Sequence, residues 1–328
     1  MASRFPFAPF PDGWYAVAFG TDVARGDVVP VRFMGTDRVL FRGASGEVAM
    51  LDAHCPHMGA NLAVGGRVEG DALRCPMHGF GFAADGRCVL TGYGTKPPPT
   101  CVARSTRVVE LGGVVLASHA ATGAPPAWEP PAPDLRGFTP LRTHTLKGLA
   151  THPQETTENS VDLGHFSYVH GYRDVELVDT VRADGPYLTT RYRMTRRGLV
   201  PGTTPLRAEF TVHVHGLGYS YVEVDIPSHG LESRHFVLPT PTDAERLDLR
   251  LASCVRARTG ALRAMPLPVL DRTVGWLAAR GYVADVRQDL AIWENKRYVP
   301  QPPLARGDGP VARYRSWTRQ FYPAAAAD

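Results

Sequence analysis

Cys55-Pro-His57-Met-Gly-Ala-Asn61, followed by Leu73-Arg-Cys75-Pro-Met-His78-Gly-Phe-Gly-Phe82, decides how this chain is read. Each segment offers one thiolate and one imidazole, and seventeen residues, 58 to 74, separate His57 from Cys75. Pro56 and Pro76 stiffen the loops. A zinc finger usually draws both cysteines from one loop and both histidines from a helix. A [2Fe–2S] centre with two Cys on one iron and two His on the other needs hairpin loops that each present one sulfur and one nitrogen. Mixed loops favour that centre over its alternative, a structural zinc site.

The patterns C-P-H-x-G-A-x-L and C-P-x-H-G-F-x-F around these residues resemble Rieske domains, and Gly59, Gly65, Gly66 and Gly79 fall where that family turns its loops tightly. The resemblance implies that Cys55, His57, Cys75 and His78 hold a Rieske-type [2Fe-2S] cluster. The flanking sequence agrees with an all-β setting. Residues 14–19, 27–33, 39–42 and 48–52 are β-rich and separated by Gly, Asp and Ser turns, and 108–118 closes the run. Residues 121–133 are Pro-rich and cannot pair as a central strand. We therefore expect a Rieske domain over 1–122, a linker over 123–134 and a catalytic domain over 135–328. Cys88, Cys101 and Cys254 belong to no motif and read as buried thiols.

Beyond the linker stands Glu158-Asn159-Ser-Val-Asp162-Leu-Gly-His165-Phe-Ser-Tyr-Val-His170. His165 and His170 are five apart, whereas a regular helix stacks i, i+3 or i, i+4. A distortion near Gly164 is expected to bring the rings together. Two imidazoles and a carboxylate on one face of Fe(II) leave positions open for dioxygen. The pattern E-N-x-x-D-x-x-H-x-x-x-x-H resembles the mononuclear iron motif of Rieske oxygenases. Gln288-Asp289-Leu-Ala-Ile-Trp293-Glu-Asn-Lys296 resembles the D-x-x-I-W-x-x-K segment that supplies the third ligand there. It implies Asp289, with Asp285 and Glu294 as the next choices. Asp162 stands where the family places a carboxylate bridging an iron ligand to a Rieske histidine of the neighbouring subunit. Its plainer role is a helix N-terminal residue complementing the macrodipole.

Residues 153–170 read as helical, 187–194, 208–215 and 246–255 as strands, and 266–296 as mostly helix with a break at Gly281. In that last stretch Leu270, Val274 and Leu277 fall at i, i+4 and i+7. The fold class expected is α+β: an N-terminal all-β Rieske domain, then a helix-grip (START-like) α+β catalytic domain whose sheet wraps a helix and leaves an apolar cavity.

The 328 residues fit about two domains. With 44% hydrophobic and 21% charged residues, a disordered or fibrous protein is excluded. A net charge of +4, with Lys96, Lys147 and Lys296 as the lysines, makes no patch for nucleic acid. Five cysteines do not make a secreted disulfide scaffold. Neither a signal-peptide h-region nor a run long enough to cross a bilayer is visible, so a cytoplasmic protein without a membrane anchor is expected.

The resemblance further implies a terminal oxygenase. Dioxygen is a co-substrate, and electrons arrive singly from a ferredoxin or an NAD(P)H-dependent reductase. No GxGxxG fingerprint is present, so NAD(P)H is oxidised by that partner. The family's usual assembly is a head-to-tail homotrimer. Residues 307–322 resemble the ends of ketosteroid 9α-hydroxylases and sterol 7-desaturases, which implies hydroxylation or desaturation of a hydrophobic, steroid-like polycyclic substrate. Tailoring of a polyketide or terpenoid natural product fits the same chemistry. An electron carrier with a vestigial second half is the alternative from another class. No counterpart of the animal desaturases' N-terminal membrane anchor is expected, and the pocket-shaping residues 185–260 match no motif.

Overall fold

The structure, a computed structural model, describes residues 4–124, 127–196 and 205–323. The chain forms two compact units: Trp14–Pro133 with Pro241–Ala244, and Met1–Gly13 with Asp134–Thr240 and Glu245–Asp328.

The first unit is built from three small sheets. One joins β1 (Gly13–Phe19) to the later hairpin β10 (Val108–Leu111) and β11 (Val114–His119), in the order β1-β11-β10. That hairpin turns on Gly112 and Gly113, both at positive φ (56° and 82°), as a two-residue turn matching the strand twist requires. The second holds β2 (Val28–Phe33), β3 (Thr36–Arg42), β4 (Val48–Asp52) and β9 (Ser105–Thr106). The third holds β5 (Arg67–Glu69), β6 (Ala72–Arg74), β7 (Gly81–Phe82) and β8 (Cys88–Leu90). Val39, Phe41, Leu51, Leu62, Leu73 and Phe82 pack behind Cys55 and Cys75 in one buried cluster. The all-β expectation is met. Of the Pro-rich stretch, Pro125 and Pro126 lie outside the described residues, while the Trp128 carbonyl accepts from Trp14 Nε1 at 2.8 Å.

The second unit is one seven-stranded sheet with helices against it. β13 (Arg173–Asp184), β14 (Tyr187–Arg196), β15 (Leu206–His215), β16 (Tyr219–Ile226), β17 (Leu231–Asp243) and β18 (Arg246–Ala257) follow one another as neighbours, and β12 (Arg142–Leu149) adds beside β18. Side chains alternate between faces with period two. On β15, Ala208, Phe210 and Val212 line a cavity, whereas Glu209 pairs with Arg193 at 2.8 Å. Two short helices, α1 (Pro153–Glu158) and α2 (Leu163–Tyr168), precede the meander. After it come α3 (Gly260–Arg263), α4 (Leu267–Leu270), the long α5 (Trp276–Asn295) and α6 (Val311–Thr318). α5 lays Val286 and Trp293 on Leu247, Leu249 and Leu251 of β18.

Two local expectations are corrected. α5 runs through Gly281 without a break; the interruption is a π-helical turn at Asp271–Gly275, whose Asp271 carboxylate takes two 2.8 Å bonds from Arg142. The second correction, at Gly164, belongs with the metal site below. Residues 4–13, which run up to the first residue of β1, cluster with this second unit. Phe7 packs on His152, Tyr298 and Tyr322 with ring centroids 4.5, 4.9 and 5.4 Å away. No helix among the described residues is long and apolar enough to cross a membrane.

Candidate metal centres

The two cysteine loops are built alike. In one, Cys55 N–H bonds to Ala60 O at 2.9 Å and Gly59 N–H to Cys55 O at 2.8 Å. In the other, Cys75 N–H bonds to Phe80 O at 2.8 Å and Gly79 N–H to Cys75 O at 3.1 Å. Both glycines take positive φ, 78° and 65°, which L side chains rarely adopt. Gly92 packs so tightly on the second loop that an added Cβ would lie 2.2 Å from His78 O. The rings of His57 and His78 stand 4.9 Å apart, and Phe80 stacks on His57 at 4.2 Å. Burial pushes the Cys55 thiol, beside that of Cys75, up to about 11. His78 Nδ1 is buried with no hydrogen-bond partner, a state rarely left unrelieved in a folded protein. Two buried sulfurs and two neighbouring imidazoles fit a [2Fe–2S] cluster of the mixed-ligand kind.

His165, His170 and Asp289 offer ligand atoms that all lie within 4.8 Å of one another. The distortion that achieves this is not at Gly164. α2 simply ends at Tyr168, and His170 lies past it, just before Gly171 turns the chain at φ 68°. The two rings meet edge to face, 5.1 Å apart. Asp289 comes from α5, whose buried residues are Val286, Asp289 and Trp293, so a carboxylate occupies the middle of an apolar stripe. Burial pushes it up to about 6, against the pull of His170. Burial likewise holds the His165 imidazole down to about 4, in the neutral form that binds a metal.

The hydrogen bonds around the rings aim them. His165 Nδ1 donates to the Asp162 carbonyl at 2.6 Å, and His170 Nδ1 donates to Gln288 Oε1 at 3.0 Å. Each Nε2 is thereby left for a metal; that of His170 lies 3.5 Å from Asp289 Oδ2. The Asn159 side chain bonds to Asp289 as well. Two neutral imidazoles and one carboxylate, each held by an outer partner, fit a non-haem iron with open positions.

The other carboxylates are placed elsewhere. Asp285 is paired with Arg196 at 2.8 Å and accepts from Tyr172 Oη at 3.1 Å, and Glu294 is exposed. Asp162 caps α2, its Oδ1 accepting His165 N–H at 3.2 Å, with its side chain 38% exposed. Gln288 and Asn159 were readable only as neighbours of the ligands within the motifs. The Arg196–Asp285–Tyr172 set had no sequence signal.

His165, His170 and Asp289 form part of the wall of a cavity of about 200 Å³ between the sheet and α5. The remaining wall is mainly apolar, with Met194, Phe210, Val212, Val222, Val224 and Leu231 along it.

Fold and sites together define a Rieske non-haem iron oxygenase, an oxidoreductase that works with a [2Fe–2S] cluster and a mononuclear iron. Residues 13–102 match the Rieske [2Fe-2S] domain, and 118–322 match the 3-ketosteroid 9alpha-hydroxylase C-terminal domain, the family to which the chain belongs. Cholesterol 7-desaturase nvd 1 of Ciona intestinalis is 30% identical, over 95% of this chain and 69% of its own. A probable 3-ketosteroid-9-alpha-monooxygenase, oxygenase component, of Rhodococcus rhodochrous is 29% identical, over 94% of this chain and 79% of its own. Dicamba monooxygenase bound to dicamba shares the fold, with a TM-score of 0.72 and 19% identity over 94% of this chain and 96% of that one. The oxygenase expectation is borne out over the electron-carrier alternative.

Proposed function

We propose that the chain is the terminal oxygenase of a multicomponent system that hydroxylates or desaturates a steroid-like polycyclic substrate. Cys55, His57, Cys75 and His78 hold the cluster; His165, His170 and Asp289 hold the iron. The observation that carries this reading is the cavity, an apolar space whose wall includes those last three residues. When bound, the metals supply single-electron transfer and dioxygen activation. The protein's part is placement. The mainly apolar cavity wall receives the hydrophobic substrate, and the outer partners of His165 and His170 keep their Nε2 atoms directed to one point. Hydroxylation consumes one dioxygen, two electrons and two protons, and releases one water with the alcohol.

Relatives are described as oxygenase components, so the electrons come from a separate reductase, directly or through a ferredoxin. We further propose a head-to-tail trimer in which Asp162 links His165 to His78 of the neighbouring subunit. The half-exposed Asp162 side chain supports this, since only one of its oxygens is committed to the helix cap.

The test supplies a surrogate ferredoxin and reductase, and follows NADH consumption with panels of sterols, ketosteroids, terpenoids and polyketides under ¹⁸O₂. Steroid-dependent consumption is expected. Label in the product marks hydroxylation, and an unlabelled alkene marks desaturation. Response to terpenoids or polyketides alone would replace the substrate reading.

A further inference from the structure

Within the apolar wall of the cavity, β17 sets two polar side chains side by side. Ser233 and His235 are two apart on one strand face, opposite Val224 and Val222 of β16, and all four line the cavity. Ser233 Oγ lies 2.8 Å from His235 Nε2, while His235 Nδ1 is buried without any hydrogen-bond partner. A buried N–H without a partner is rarer and costlier than an idle acceptor. The proton of the neutral ring therefore sits on Nε2 and is donated to Ser233 Oγ. Burial favours that neutral ring, holding His235 down to about 3. The Ser233 hydroxyl, its oxygen engaged by the ring, keeps its own proton to give. His235 also rests on Tyr282 of α5, ring centroids 4.6 Å apart. Tyr282, against which His235 packs, precedes Asp289 by seven residues, about 10 Å along the helix. A fused polycycle of three or four rings has that reach.

We infer that Ser233 and His235 form an anchor that donates a hydrogen bond to a ketone oxygen of an otherwise apolar polycyclic substrate, and so select the carbon that faces the metal site. This rests on the steroid-like reading above and narrows it. A neutral donor suits a carbonyl, and the charge of Arg196, which also lines the cavity, is taken by Asp285 at 2.8 Å. The oxygen of a hydroxyl-bearing substrate can accept the same Ser233 proton, so the alcohol should keep part of the ketone's advantage.

The experiment measures calorimetric binding to the intact holoenzyme, and product position, for three steroids that differ only in carrying a ketone, the matching alcohol, or neither. The wild type should hold the ketone about tenfold more tightly than the unsubstituted steroid, the worth of one neutral hydrogen bond. Ser233→Ala should erase that difference without weakening the unsubstituted steroid, and should spread oxidation over more than one carbon. Ser233→Thr, which keeps the hydroxyl, should preserve both preference and product. His235→Phe keeps the ring's bulk and should lose the preference. A ketone preference that survives in Ser233→Ala and His235→Phe overturns the anchor while leaving the steroid reading in place. Failure of all three steroids to bind the wild type overturns the steroid reading and the anchor with it.

Discussion

Gln288 contributes no metal ligand, yet its amide oxygen is what turns His170 so that Nε2 points inward. Outer partners of this kind are worth about 10- to 100-fold in metal affinity. Gln288→Leu should therefore weaken Fe(II) binding about tenfold or more in titrations of the metal-free mononuclear site, with the visible spectrum of the Rieske cluster unchanged. Asp289→Ala should lose that iron outright, because Asp285 is already committed to Arg196 and Tyr172. Retained iron in Asp289→Ala would reassign the third ligand.

A second residue-scale prediction concerns His152, which caps α1. Its Nδ1 accepts Gln154 N–H at 3.1 Å, and Nε2 lies 3.3 Å from Ala8 O. Protonation would turn the capping acceptor into a donor. Burial holds the ring down to about 3, against 6.5 for the free group. Below pH 6.5 the unfolded chain takes up a proton that the folded chain refuses. Stability is thus fully present above that pH and falls by about 1.4 kcal/mol per pH unit below it. His215 and His235, also held down to about 3 by burial, act in the same direction. His152→Asn keeps a capping acceptor and removes the titration. Urea unfolding between pH 6.5 and 5 should show a slope shallower by about one proton; an unchanged slope would remove His152 from the account.

Spacing made the four cluster-ligand candidates readable, since Cys-Pro-His and Cys-Pro-x-His are local in the chain, whereas His165, His170 and Asp289 were readable through the resemblance of their motifs. Ser233 and His235 were not readable. Alternation marks their strand, but which face meets the cavity depends on the register of β16 and β17.

At the scale of elements, the E-N-x-x-D and D-x-x-I-W-x-x-K motifs are fastened to each other by charge. Lys296, just past the end of α5, places Nζ 2.7 Å from Glu155 Oε2 and 3.7 Å from Glu158 Oε1 on α1. Arg315 of α6 adds two bonds to Glu158, at 2.6 and 2.8 Å. Glu155 is fully buried, and burial raises its carboxyl even with Lys296 beside it. The segment carrying His165 and the helix carrying Asp289 are thereby held together. Removing one member of a buried pair strands the other, at a cost of about 3 kcal/mol. Lys296→Met should lower stability by about that much, and Lys296→Met/Glu155→Gln should recover most of it. A double variant no better than the single one would mean that the charge is not what α1 needs. The long helix was legible from its apolar stripe, but its interruption was misplaced. Glycine's low helix propensity pointed to Gly281, whereas the packed helix tolerates Gly281 and the π turn begins at Asp271, the residue bonded to Arg142.

For the molecule as a whole, the proposed ring decides which cluster serves which iron. Each unit of the chain assembles its own candidate ligands, and the proposed ring hands electrons from one subunit to the next. Two variants separate this from transfer within a chain. Cys75→Ser should lack the cluster and keep the mononuclear site, while His165→Ala should keep the cluster and lose the iron. Each alone is inactive under either scheme. Co-expressed in equal amounts and purified as mixed assemblies, they behave differently. A junction works only where an iron-deficient subunit with an intact cluster feeds a cluster-deficient subunit with an intact iron. In a closed head-to-tail ring with random mixing, about one junction in four meets that condition. Turnover should therefore return to about a quarter of the wild-type rate per subunit, and a mixture made after the rings have formed should stay inactive until subunits exchange. Adding Asp162→Asn to the cluster-deficient variant tests the bridge inside the same design. Asparagine caps a helix about as well as aspartate, so folding and iron content should hold while the recovered turnover is lost. Mixed assemblies that remain inactive with both metals at their expected levels would show that cluster and iron must share a chain.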